Sequence, residues 1–185
     1  MKRKMRGAVV FMASAGIAQI ALAGVIDQNQ ADGSVFMAAF SQLDLAQSFQ
    51  QSANNITGAG ILLQAGVGSV DNVVISLWTT LPNGGGSMLA QGFASGMEGE
   101  WVDVFWDEVA IDSGTTYYLD FSGNTTLGIA GSVDNPYAGG EVYANPGYVQ
   151  FADFDYAFRT YAAVPTPGAL GLLGFAGLAA TRRRR

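Results

Sequence analysis

The side chains best suited to chemistry in this 185-residue chain are carboxylates gathered near a tryptophan: Glu98, Glu100, Asp103, Asp107 and Glu108 around Trp101. Two acids flanking an aromatic platform are what glycoside hydrolysis needs, one protonated to release the leaving group and one ionised to attack or to activate water. Spacing along the chain sets no distance between them, and a solvated acidic strand and loop accounts for the same residues. No catalytic residue is therefore assigned, and the chain is not expected to be an enzyme. The sequence contains neither histidine nor cysteine. That excludes a Ser-His-Asp relay, a histidine base, a cysteine nucleophile, disulfides, and imidazole or thiolate metal sites within this chain.

Hard oxygen ligands remain. Asp153 and Asp155 at alternate positions, or Asp134 and Asn135 in a turn, would suit calcium, but no Asp-x-Asp-x-Asp-Gly loop is present. Surface acidity without an ion is the simpler reading, so no metal ligand and no cofactor are assigned. Aromatic side chains form the third group. Trp78, Trp101, Trp106, Tyr117, Tyr118, Tyr137, Tyr143 and Tyr148 could stack on sugar rings, yet most are required for a core of this size. Tyr137, Tyr143 and Tyr148 lie nearest turns and are the candidate ligand-binding residues. Arg159, the one base far from either end, is expected to pair with a carboxylate on a neighbouring strand rather than to bind an anion.

The charge is divided along the chain. Lys2, Arg3, Lys4 and Arg6 open it and Arg182 to Arg185 close it, while the region between holds one base, Arg159, against all fifteen acids, a net charge of −14. Such a region has no footprint for nucleic acid, which requires clustered Lys and Arg. The basic start is followed by an apolar run from Gly7 to Leu22 and by Ala21-Leu22-Ala23, the small residues a signal peptidase requires. Cleavage after Ala23 is expected, leaving Gly24 first.

The other end has three parts in order. Val164-Pro165-Thr166-Pro167 is a stiff hinge, because each proline lacks a backbone donor and holds its predecessor extended. Gly168 to Thr181 is an uncharged run of 14 residues, about 21 Å as a helix against a hydrocarbon core of about 30 Å. Arg182, Arg183, Arg184 and Arg185 then act as a cytoplasmic stop. In this order the segment resembles the PEP-CTERM sorting signal of Gram-negative bacteria, with Thr166 where that family usually has Glu. The resemblance implies exosortase as a partner, insertion of the tail in the inner membrane as a short transmembrane helix, and release or transfer to the cell surface after processing near Val164 to Pro167.

These ends bracket three expected segments: a signal peptide (1–23), a β-sandwich domain (24–161) and a sorting and anchoring segment (162–185). Residues 24–45 leave open an edge strand or a short helix at Val35 to Phe40. Strands are expected over Ala46 to Gln51, Ile56 to Gln64 and Val70 to Thr80, the last because it is β-branched and aromatic. Leu81-Pro82-Asn83-Gly84-Gly85-Gly86-Ser87 reads as the turn of a hairpin returning through Met88 to Phe93.

Glu100 to Trp106 is apolar on both faces, which predicts a central strand. Thr115 to Ser122 places Tyr117, Leu119 and Phe121 on one face, short strands follow near Leu127, Glu141 and Tyr148, and the alternation of Phe154, Tyr156 and Phe158 predicts one last strand running to Tyr161. About nine strands without an amphipathic helix predict an all-β fold, an antiparallel two-sheet sandwich. Ala46-Gln47-Ser48-Phe49, Ser76-Leu77-Trp78, Thr115 to Leu119 and Ala157 to Tyr161 resemble the jelly-roll, carbohydrate-binding-like modules of secreted bacterial surface proteins. That resemblance speaks for the fold more than for a ligand. Leader, sandwich and tail together lead to the expectation of an exported, non-enzymatic surface or matrix protein, with a glycan-binding module for exopolysaccharide as the alternative.

Overall fold

The computed structural model describes residues 24–64, 70–124 and 127–163; the predicted signal peptide, with Ala21 and Ala23, and the sorting residues from Val164 onward lie outside them. Thirteen strands fill the described residues: β1 (Val25–Gln30), β2 (Val35–Ala39), β3 (Leu45–Gln50), β4 (Asn55–Gln64), β5 (Val70–Trp78), β6 (Met88–Met97), β7 (Trp101–Ala110), β8 (Thr116–Ser122), β9 (Gly128–Ser132), β10 (Val142–Ala144), β11 (Val149–Phe151), β12 (Asp155–Tyr156) and β13 (Phe158–Ala162). Among the described residues a turn of 3-10 helix at Pro82–Gly84 is the one helical element, and no helix is long and apolar enough to cross a membrane.

The strands form two sheets in which each pairing is antiparallel. One runs β1-β13-β4-β9-β12, with β2 joined to β9 and β7 to β4; the other runs β11-β10-β3-β8-β5-β6. With β2 and the β9 to β12 excursion set aside, the eight remaining strands have the orders β1-β13-β4-β7 and β3-β8-β5-β6. In chain order they cross between the sheets at each step but one, the β5–β6 hairpin.

Period-two patterning builds the core. Val73, Ile75 and Leu77 of β5 and Tyr117, Leu119 and Phe121 of β8 point inward from one sheet, and Ile61, Leu63, Val102, Val104 and Phe158 from the other. The sheets meet at Phe49 and Phe158, whose ring centroids are 6.5 Å apart, and at Phe121 and Tyr156, edge to face at 5.8 Å. Each such side chain contributes about 1.5–3 kcal/mol of burial. The predicted turn forms at Leu81 to Ser87, where Gly85 takes the left-handed φ of 80° that an asymmetric residue resists.

Three local expectations are decided or revised. Val35 to Ala39 is a strand, β2, rather than a helix, and it lies on an edge because among the described residues it pairs only with β9. Glu100 to Trp106 is not central: among the described residues β7 pairs with β4 alone, since its sequence neighbour β6 belongs to the other sheet. Its apolar outward residue Phe105 is consequently half exposed. The single strand predicted through Phe154 to Tyr161 breaks at Ala157, where the chain passes from β9 to β4. Ala157 donates to Ala130 O at 2.8 Å and accepts from Leu62 at 3.1 Å, so the crossing leaves neither backbone group unpaired.

Candidate functional site

The outward face of the β11 to β6 sheet carries a continuous row. Register places Gln150, Tyr143, Ala46, Asp120, Ser76 and Gln91 side by side across all six strands. A second row sets Ser48, Tyr118 and Trp78 next to one another. Small residues in the middle strands leave the aromatic rings standing above a low floor: Ala46, Ser48 and Ser76 are buried, whereas Trp78, Tyr118, Tyr143 and Tyr148 are partly exposed. Tyr118 and Tyr143 meet edge to face at 5.8 Å, which fixes both rings.

Polar groups lie between the rings. Tyr148 donates its hydroxyl to Asp120 Oδ1 at 2.7 Å, and Gln91 Nε2 donates to Ser76 Oγ at 2.9 Å. Burial pushes the Asp120 carboxyl up to about 6, opposed by the Tyr148 hydrogen bond and reinforced by nearby Asp44. Burial likewise raises the Tyr148 phenol, helped by Asp120, and the Tyr143 phenol, helped by Tyr118, so both remain neutral donors at physiological pH. Beside the rows is a polar depression of about 290 Å³ lined by Ser48, Thr116, Tyr118, Asn135, Glu141 and Tyr143. Flat rings, neutral hydroxyls and amides around a shallow depression are suited to a polyhydroxylated ligand.

The predicted ligand-binding tyrosines do not stay together. Tyr143 and Tyr148 are on this face. Tyr137 packs edge-on to Phe158 at 5.0 Å, and its hydroxyl lies 3.0 Å from Gln28 Oε1 and accepts the Gln50 N–H at 3.2 Å. Trp78 and Tyr118, which sequence reasoning left to the core, join the face instead. The signal was present in the alternation: once Ile75, Leu77, Tyr117 and Leu119 are inward, Trp78 and Tyr118 must point out.

The carboxylates around Trp101 do not converge. Glu98, Glu100, Asp107 and Glu108 are exposed along β7 and its turn. Asp103 accepts from Arg159 Nε at 2.7 Å and from the Tyr161 hydroxyl at 2.8 Å, and the Arg159 guanidinium lies 4.3 Å from the Trp101 ring centroid. Arg159 thus has the carboxylate partner expected of it, though two strands away.

Of the residues considered for calcium, Asp153 is exposed and Asp155 is wholly buried, its oxygens accepting from Gln47 Nε2 at 2.9 Å and Tyr137 N at 2.7 Å. Asp134 is exposed, and Asn135 Nδ2 donates to Ala152 O at 2.8 Å. Among the described residues no three His, Cys, Asp or Glu side chains gather where a metal ion would fit.

The fold and this face define an all-β protein of two antiparallel sheets with an aromatic outer surface. No known protein family, curated protein or solved structure matches the chain.

Proposed function

We propose that the chain is an exported, non-enzymatic cell-surface or extracellular-matrix protein sorted through its C-terminal PEP-CTERM-like segment. Signal peptidase removes residues 1–23. The Gly168 to Thr181 run holds the tail in the inner membrane with the sandwich in the periplasm, and exosortase acts near Val164 to Pro167. The observation that carries this reading is the order of residues at the C-terminal end, Val164-Pro165-Thr166-Pro167, an uncharged run to Thr181 and then Arg182 to Arg185; the pairing of Val25 with Ala162 is compatible with it. The described strands all lie between Val25 and Ala162, and the first and last of them are neighbours, so removing chain before Gly24 and after Val164 would take away none of them. The strand orders β1-β13-β4-β7 and β3-β8-β5-β6 support a jelly-roll-like module in particular, because eight strands wound between two sheets are that architecture.

The test is intact mass and cell fractionation with and without the host's exosortase. A product that begins at Gly24, ends near Val164 to Pro167 and leaves the inner membrane only when exosortase is present is expected. Retention of Arg185 in an inner-membrane form under both conditions would refute sorting.

The outer face favours a second reading, a module that binds exopolysaccharide in a biofilm matrix. Trp78, Tyr118, Tyr143 and Tyr148 supply the stacking surfaces, with Asp120 among them and Gln150 and Gln91 at the two ends of the row. Affinity electrophoresis through a gel containing the host's exopolysaccharide tests it, and mobility identical to that in a plain gel would reject it.

A further inference from the structure

A strand at a sheet edge presents unpaired backbone donors and acceptors, and most edges of this molecule carry a feature that discourages further pairing. β11 has three residues and β12 two. β1 and β2 each contain a register shift, and β1 also holds Asp27. β7 holds Asp103, Asp107 and Glu108. β6 differs from all of these. From Ala90 to Met97 it pairs with β5 in unbroken register and contains neither a charged residue nor a proline. Among the described residues β5 is its one strand partner.

The residues of this edge say what fits it. Glu100 Oε2 accepts from Met97 N at 2.9 Å and so ends the open stretch, leaving Ala90 to Gly96 with Phe93 at its centre. Phe93 is 85% exposed, the most of any large apolar side chain among the described residues. To either side of it the pattern is the same in both directions: a small inward residue, a polar outward one, and a small inward one again, Gly92-Gln91-Ala90 before and Ala94-Ser95-Gly96 after. The inward glycines let β7 pack flush beneath the strand. A Cβ at Gly92 would lie 2.9 Å from Val104 Cβ, and one at Gly96 2.2 Å from Val102 Cγ2. The edge is thus held in place before any partner arrives.

We propose that β6 joins a second copy of this chain, antiparallel and edge to edge, about a two-fold axis at Phe93. The two six-stranded sheets then form one continuous sheet. Ala90 of one copy faces Gly96 of the other, Gln91 faces Ser95, Gly92 faces Ala94, and the two Phe93 rings meet on the axis. A contact about a two-fold axis needs a patch complementary to itself, and a strand whose pattern reads alike from its centre outward is such a patch. Charge points the same way. The region between the basic ends carries −14, so two copies repel over most of their surfaces, and β6 is a strip without acids. Antiparallel pairing also sets Glu98 of each copy beside Met88 of the other, which keeps the two acidic turns at opposite ends.

The natural chain has no cysteine, so introduced thiols report this contact without background. The full chain is expressed in its host and the cells are oxidised with copper phenanthroline. Phe93→Cys sets two thiols opposite each other, at the Cα separation of about 4.5–5.5 Å that a disulfide spans, and should give a covalent dimer on a non-reducing gel. Gln91→Cys and Ser95→Cys in one chain should also cross-link, whereas each alone should not, because like positions are then about 14 Å apart. This pair keeps the test decisive if Phe93→Cys folds poorly. Adding Phe93→Glu to the pair should abolish the dimer, since like charges would meet on the axis. Val149→Cys, exposed on the opposite edge of the same sheet, should stay monomeric. Monomer in both Phe93→Cys and the paired variant, an equal dimer in Val149→Cys, or a disulfide to a different protein would overturn the proposal, and a dimer from Gln91→Cys alone would overturn the axis.

Discussion

Arg159 and Asp103 pair across an intervening strand. The guanidinium on β13 reaches over Gly60 of β4 to the carboxylate on β7, with Nε 2.7 Å from Oδ1 and Nη2 on Oδ2. This span is possible because Gly60 has no side chain: a Cβ there would lie 2.1 Å from Asp103 Oδ1. The Tyr161 hydroxyl and the Trp101 ring complete the arrangement, so one charge-assisted fork clamps three strands. Both charged groups are about one-fifth exposed, which limits solvent screening.

Gly60→Ala should therefore displace Asp103 and destabilise the fold by about 1–3 kcal/mol, as overpacking does. Urea unfolding at neutral pH measures it. A midpoint equal to that of the natural chain would mean that the clamp contributes nothing.

Asp120 should make stability depend on pH. Its folded value of about 6 exceeds its ordinary 3.8, so the folded state holds the proton more tightly. The stability contributed by protonation is complete below about pH 4 and is lost as pH rises through 6. Asp120→Asn should be more stable than the natural chain by about 2 kcal/mol at pH 7.5, with the advantage shrinking towards pH 4. Thermal melts across that range would show a pH-independent difference if the carboxyl were not responsible.

Asp155 lies wholly buried between the sheets, joined to Gln47 on β3 and to the backbone of Tyr137. Asp155→Ala would strand both donors and should cost about 2–4 kcal/mol. A loss well below this in chemical denaturation would show that water replaces the carboxylate.

Trp78→Ala and Tyr118→Ala test the outer face. Each should reduce exopolysaccharide affinity about fivefold, the worth of one aromatic contact, with little additional loss in the double variant because the residues are adjacent. Tyr137→Phe, which alters a hydroxyl away from that face, should leave affinity unchanged. Equal effects from all three would assign the loss to folding.

The sequence by itself settled composition and local pattern. Alternation along Val73 to Trp78 and Thr116 to Phe121 specified both strands and their inward faces, because side chains on a strand alternate regardless of partner. Lack of histidine and cysteine excluded whole classes of chemistry before any fold was known. The proposed leader and sorting tail rest on residue order alone, because charge placement and apolar length are properties of the sequence and not of tertiary contacts.

Only the tertiary structure decided which residues meet. β7 reads as central because it is apolar on both faces, but the chain turns it to the edge of the other sheet, where Phe105 covers Gly58 and remains half exposed. Tyr137 and Tyr143 look alike beside their turns, yet one packs on Phe158 and the other on Tyr118. The Arg159–Asp103 pair and the aromatic rows join residues distant in sequence. Pairing register and sheet order bring such residues together, and neither is encoded in the period of a single strand.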